Sequence, residues 1–349
     1  MSNSEPKISW IGGLVALLLG FVFLVGISEL VVRVVYPSWN EFYAGRFMTI
    51  EHVDGYGDVT TGRKGFDGHF SQNNGDFRSH IRINDFGLRN DAPVNEADNR
   101  TWIIGDSMAF GWGVNGNEMY SSVIGDISGR LTYNIASPGT NVCGYQALAG
   151  RMPDTVKPHA VIIGLILEND LHDYDCTEYA KEKRDVITTG GIFANYKTVL
   201  TEHSALYNFF AVSLKRVDVV REALIWAGFI QKSHAYRNQI AGMDLNRIID
   251  RTAAELARLR DMFEPMTPFV VLVAPARYEI AEDDTDFKII RIAMENALQE
   301  YGLPFVDPFD EFKTAGFEET HFIHDGHWSA AGHRIAAEAV AKWLDDNAP

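Results

Sequence analysis

A serine, a histidine and an aspartate can together attack an ester, and this chain carries a candidate for each. Ser107 closes the run Thr101-Trp102-Ile103-Ile104-Gly105-Asp106-Ser107, an apolar β-rich stretch that stops at a glycine. A neutral serine is a poor nucleophile and needs a neighbouring base. His327 is the candidate base. Asp325 is the candidate acid that fixes the imidazole tautomer and stabilises its charged form. Acyl transfer also needs donors for a developing oxyanion, each typically worth about 100- to 1000-fold in rate. The backbone N–H groups of Ser107 and Gly139 and the side-chain amide of Asn169 are the candidates.

Each residue has a plainer reading taken singly. Gly139 follows a proline and suits a turn. Asn169-Asp170 could cap a helix, and Asp325-Gly326 is an ordinary turn sequence. Their order along the chain, each at the end of an expected strand, is what joins them. An α/β-hydrolase elbow does not fit, because it needs glycine two residues on both sides of the serine and Ala109 holds the second place. His321, His324, His327 and His333 also have spacings that suit a metal. A metal would leave Ser107, Gly139 and Asn169 without a role, so no metal and no cofactor is expected.

Positioning these residues requires strand ends that meet. From Arg100 the pattern alternates strand-like and helix-like runs. Thr101–Ile104, Leu131–Ala136, Ala160–Leu167, Phe269–Ala274 and Pro304–Val306 read as strands. Glu118–Ile127, Tyr145–Met152, Leu245–Phe263, Phe287–Tyr301 and Ala330–Leu344 read as helices, the last capped by Ser329. Such alternation predicts a three-layer α/β/α sandwich on a parallel sheet. Ligands then bind outside the carboxyl ends of the strands. Residues 37–99 are polar and rich in turn signals, and read as a β-rich lead-in packed on the main domain, with His80–Asn84 as one half-buried strand. Residues 100–349 form the main domain, interrupted at about 174–244 by a helical insert containing Leu206–Val220 and Arg221–Ile230. Core packing is the default role for such amphipathic helices; a lid or a second membrane-surface contact are the alternatives.

The 349-residue chain is 46% hydrophobic and carries a formal charge of −16. That balance disfavours nucleic acid, whose binding depends on clustered Lys and Arg. Ile8 to Ser28 contains no charged residue, about the 20 residues a bilayer crossing needs. No small-residue cleavage site follows it, so residues 1–36 read as a short tail and an uncleaved signal anchor, with Glu29 and Arg33 marking the exit. The expectation is a single-pass protein of the cell membrane with its catalytic domain outside the cytoplasm. Cys143 and Cys176 are too few for a disulfide framework, but can pair in an oxidising compartment.

The ordered set resembles the SGNH/GDSL-type hydrolases, whose four blocks supply serine, glycine, asparagine and histidine. Gly105-Asp106-Ser107 is similar to the first block, Gly139 to the second, Asn169-Asp170 to the third, and Asp325 with His327 to the fourth. Asn84-Asp85-Phe86-Gly87-Leu88-Arg89 and Phe110-Gly111-Trp112-Gly113-Val114 resemble stretches of membrane-anchored bacterial members. Two departures stand out. His324 occupies the place where the fourth block usually has its aspartate, and Asp325-Gly326-His327-Trp328-Ser329 resembles the form found in alginate O-acetyltransferase-like relatives. The third block lacks a glycine next to its Asn-Asp step, Gly164 lying further back. The resemblance implies a serine esterase that removes O-acyl groups, acetyl foremost, from a carbohydrate or small ester through an acyl-serine. An O-acyltransferase using the same site is the alternative, and a non-catalytic anchored scaffold for surface-polymer assembly is a third.

Overall fold

The apolar N-terminal segment is a single helix, α1 (Trp10–Val35), in the computed structural model, which describes residues 10–72, 75–181, 199–215, 226 and 244–348. It is long and apolar enough to cross a membrane, with mean hydropathy 2.6. None of its residues is buried. The helix runs beyond Ser28 because Glu29 and Arg33 pair across one turn, Oε1 to Nε at 2.7 Å, and keep the polar exit helical.

The lead-in forms two antiparallel hairpins. One joins β1 (Met48–Val53) to β2 (Gly57–Gly62), and the other joins β3 (Asp67–Ser71) to β4 (Arg78–Arg82). The ladder stops at Arg82, short of Asn84. The Asn84 side chain instead accepts from the backbone N–H groups of Phe86 and Leu88 and donates to Ala92 O and Tyr133 Oη. A short polar side chain that bonds its own backbone in this way favours a turn over a strand.

The main domain continues with β5 (Thr101–Gly105), α2 (Ser107–Phe110), α3 (Tyr120–Ser128), β6 (Thr132–Asn134), α4 (Val142–Gly150), β7 (Ala160–Ile166), α5 (Cys176–Tyr179), α6 (Ala205–Lys215) and α7 (Leu245–Arg260). Then follow β8 (Phe269–Ala274), α8 (Arg277–Glu282), α9 (Thr285–Glu300), β9 (Phe305–Val306), α10 (Phe309–Ala315), α11 (Phe317–Thr320) and α12 (Ala330–Asn347). Two helices start away from their expected positions for local reasons. Asn115 and Glu118 close a capping box on a 3-10 turn, which delays α3 to Tyr120. Asn141 accepts from Gly144 N, which starts α4 at Val142. Within the region expected as an insert, residues 182–198, 216–225 and 227–243 lie outside the described residues, so Arg221–Ile230 apart from Trp226, and the end of Leu206–Val220, do too.

The five main strands form one parallel sheet in the order β6-β5-β7-β8-β9. The fold is a three-layer α/β/α sandwich. Trp102, Ile104, Val161, Ile163, Val271 and Val273 face α4, α7 and α9. Ile103, Ile162, Val270 and Leu272 face α3 and α12. Burial on both faces explains why the central strands are continuously apolar instead of alternating. The chain leaves β5 for β6 on one side and returns past it to β7 on the other. That reversal opens a crevice at the carboxyl ends of β5 and β7, where the chain carries Gly105-Asp106-Ser107 and Glu168-Asn169-Asp170.

Cys143 on α4 and Cys176 at the start of α5 form a disulfide with Cα atoms 5.1 Å apart. It ties the segment after β6 to the segment after β7 and closes a loop of 33 residues. In the chain-entropy model a loop of that size contributes about 3–4 kcal/mol. The Cys143→Ser, Cys176→Ser double variant is expected to lose about that much stability in urea unfolding. An unchanged midpoint and slope would show that the bridge contributes nothing.

Candidate active site

Ser107 begins α2 directly after β5, with Asp106 as the helix N-cap accepting from Met108 N at 2.8 Å. The turn is tight. A Cβ on Gly105 would stand 2.6 Å from Ala109 Cβ and 3.1 Å from Gly164 O on the neighbouring strand. Ala109 and Gly164 therefore have packing roles here: they and Gly105 let α2 sit directly on the strand ends. The hydroxyl of Ser107 lies 2.8 Å from His327 Nε2, across 220 residues of sequence. His327 Nδ1 contacts Asp325 Oδ1. A carboxylate only accepts hydrogen bonds, so Nδ1 carries the proton; Nε2 of the neutral ring then accepts from the Ser107 hydroxyl. The His327 side chain is 24% exposed and that of Asp325 only 7%, so the imidazole is open to solvent while the carboxylate is shielded. Burial alone would raise the Asp325 pKa. The facing His327 and a donor from Gln72 outweigh it and hold the carboxyl below its ordinary value.

The donor candidates lie around the same strand ends. Asn169 follows β7, and its Nδ2 donates to Asp106 Oδ2 at 2.8 Å. This places the amide beside the nucleophile turn, with one of its two N–H groups already engaged. Its backbone carbonyl meets His172 Nε2 at 3.0 Å. Gly139 is exposed in the loop after β6, at φ +73°, and a Cβ there would meet nothing within 4 Å. That loop is fastened to β5: Ser137 N and Thr140 Oγ1 both donate to Gly105 O, at 3.0 and 3.2 Å. Asp170 does not cap a helix. It is fully buried and accepts from Tyr145 Oη and Ile166 N, at 2.7 and 2.8 Å. Burial drives its pKa well above the usual carboxylate range, and the charge of Asp106 adds to the rise.

Residues outside the expected set hold the histidine loop. Asp76, in the connection between β3 and β4, accepts from the backbone N–H groups of His324 and Asp325 at 2.9 and 2.8 Å. It also pairs with His324 Nδ1 at 2.6 Å. Gln72 Nε2 donates to Asp325 Oδ2. The lead-in thus grips the loop that carries Asp325 and His327. From the other side Arg277, at the start of α8, pairs with buried Glu168 at 2.7 Å and donates to Asp325 O at 3.3 Å. Gly326 lies under that guanidinium at φ +83°; a Cβ there would stand only 2.9 Å from Arg277 Cζ. Trp112 stacks on the His327 ring, with centroids 5.6 Å apart.

The two motifs noted before β5 and after Ser107 meet at Arg89. It is fully buried and donates to the carbonyls of Phe110 and Val114 at 3.2 and 2.7 Å, to His80 O at 3.0 Å, and to Gly111 O. Desolvation lowers its pKa to about 9. This clamp shapes the Phe110-to-Val114 loop that presents Trp112 to His327. Among the remaining histidines, His321 is buried against Thr320 Oγ1 and stacked on Phe317. His333 is buried beside Tyr120 and Trp328. Burial depresses both pKa values to about 3. Trp328 packs in the core against Phe312 and Tyr120, and Ser329 caps α12. The last two residues of the Asp325-to-Ser329 block therefore serve packing and helix capping, so its likeness to the transferase-like form brings no additional reacting group.

No protein-family model matches this chain, and no curated protein matches it. Solved structures similar to it include a carbohydrate esterase family 2 enzyme with a carbohydrate-binding domain from Corynascus thermopiles (Myceliophthora fergusii). That match has 15% identity and a TM-score of 0.41, over 71% of this chain and 66% of that one. A lipolytic G-D-S-L family member from Veillonella parvula matches at 11% identity and TM-score 0.40, over 70% and 98%. The lipase/acylhydrolase from Enterococcus faecalis matches at 11% identity and TM-score 0.40, over 71% and 96%.

The site's geometry makes a direct prediction. A fluorophosphonate, which reacts with base-activated serines, is expected to label Ser107 and to fail with His327→Gln. Asp76→Ala should slow labelling about 10- to 100-fold by letting the histidine loop shift, and Asp76→Asn, which retains an acceptor, should recover part of the rate. Equal labelling of wild type and Asp76→Ala would remove Asp76 from the positioning role.

Proposed function

We propose that this chain is a membrane-anchored serine esterase of the SGNH/GDSL type. It removes O-acyl groups, acetyl foremost, from a carbohydrate or related ester outside the cytoplasmic membrane. The observation that carries this reading is the continuous chain from Ser107 Oγ to His327 Nε2 at 2.8 Å and from His327 Nδ1 to Asp325. In the reaction, Ser107 Oγ bonds to the ester carbonyl carbon as its proton passes to His327 Nε2. The oxyanion is received by the Ser107 and Gly139 N–H groups and the Asn169 amide. His327 returns the proton to the leaving alcohol as the ester C–O bond breaks, which leaves an acyl-serine. Water, deprotonated by the same imidazole, releases the acid and restores the serine.

The extracytoplasmic placement is supported by α1 and by the Cys143–Cys176 bridge, since disulfides persist in oxidising compartments. We read residues 37–99 as part of the working unit, because Gln72 and Asp76 reach the histidine loop. An assembled serine–histidine–aspartate set argues against a scaffold that has lost its chemistry.

The test is hydrolysis of a chromogenic acetyl ester by the full-length protein in detergent, beside Ser107→Ala. The variant is expected to lose about 1000-fold or more in kcat; equal rates would overturn the esterase reading. Acetate released from an O-acetylated polysaccharide supports hydrolysis. Acetyl appearing on an added sugar without free acetate would replace it with the acyltransferase reading.

A further inference from the structure

We infer that α6 is a second membrane contact, seated beside α1 in the bilayer leaflet that α1 leaves, so that the catalytic domain is held by two helices in place of a single tether. This rests on the reading that α1 spans a membrane. From Trp10 to Glu29 an α-helix rises about 28 Å, close to the thickness of a hydrocarbon core, which places Glu29 at the far boundary. There the insert is fastened to the anchor. Arg33 donates to His203 O, and Glu29, one turn nearer the bilayer, accepts from Ser204 Oγ, Ala205 N and Leu206 N at 2.9, 2.8 and 2.9 Å. The chain therefore moves down α1 toward the bilayer as it enters α6, and α6 packs against α1.

The composition and bonding of this segment suit lipid. Ser204 through Leu214 carries no charged residue. Phe209 and Phe210 are 43% and 53% exposed. Backbone polar groups in a bilayer must be satisfied within the protein, and the turn into α6 meets that condition. Besides the two N–H groups held by Glu29, Tyr207 N donates to Ser204 Oγ and Asn208 N to Ser204 O. Buried Asn208 Nδ2 donates to Thr201 O and Ser204 O. The 11 described residues of α6 rise about 16 Å, roughly half of a hydrocarbon core, and so reach into one leaflet. The chain's charge of −16 makes apolar insertion, not attraction to anionic lipid, the driving force.

The test uses the full-length protein in phosphatidylethanolamine/phosphatidylglycerol vesicles. Phe210→Cys, Leu18→Cys and Ile127→Cys variants are each labelled with an environment-sensitive fluorophore, since the native cysteines are paired. Ile127 is exposed on the main domain and reports a site away from lipid. The expected result is blue-shifted emission and quenching by bromine-labelled lipid at positions 210 and 18, with neither at 127. Quenching at 18 but not at 210 overturns the second contact and leaves the anchor intact. Quenching at neither overturns both.

Discussion

One hydrogen bond, between an alcohol at the end of β5 and an imidazole 220 residues later, sets the demands that the rest of the structure meets. Neither group has the required property alone. A serine hydroxyl must have its base at hydrogen-bond distance, and an imidazole is a base at the needed nitrogen only when the other nitrogen keeps its proton. Asp325 supplies that second condition from two residues away, on the same loop. The loop is short and closes on itself: Phe322 N donates to His327 O, Gly326 N to Phe322 O, and Ser329 N to Thr320 O. What such a loop lacks is an anchor against sideways movement. Gln72 and Asp76 on one side and Arg277 on the other supply it.

The means of fixing the site is mostly electrostatic and mostly buried. Arg89 shows the principle without any carboxylate partner among its hydrogen bonds. A guanidinium removed from water costs several kcal/mol, and four backbone carbonyls offset that cost by accepting its donors. The charge is spent on shaping one loop, the loop that carries Trp112. Glu168 and Arg277 act in the same way across the ends of β7 and β8. Burial raises the Glu168 pKa, and the neighbouring Arg277 works against that rise. Beneath them Asp106 is also pushed up by burial while it accepts from Asn169 and Met108 N. The crevice floor is thus made of carboxyl groups held by fixed donors, which suits a site that must not rearrange when charge develops.

Fixed backbone also decides where small residues are needed. Gly105 lies where two strand ends and α2 come within van der Waals contact, and Gly326 lies beneath a guanidinium at positive φ. One is set by packing and the other by both space and conformation. Trp328 and Ser329, next to His327 in sequence, turn away to the core and to a helix cap. Adjacency along the chain is therefore no guide to which residues share the crevice.

The layers and the ends of the strands are legible along the chain. Continuous apolar runs between amphipathic helices leave little choice but a covered parallel sheet, and Phe269–Ala274 was readable to the residue because strand burial on both faces is a local, one-dimensional signal. The sequence also named Ser107, His327 and Asp325 as a set whose chemistry made sense together. Which polar residues face that set became visible only in the fold. Gln72, Asp76 and Arg277 look like ordinary surface residues in sequence, since a hydrogen bond across 248 residues leaves no periodicity to detect. The same holds for Glu29: read along the chain it marks a helix leaving a membrane, and only the folded chain brings Ala205 and Leu206 to its carboxylate. Local pattern reports what a segment buries; it carries no information about which distant donor will be brought to a given oxygen.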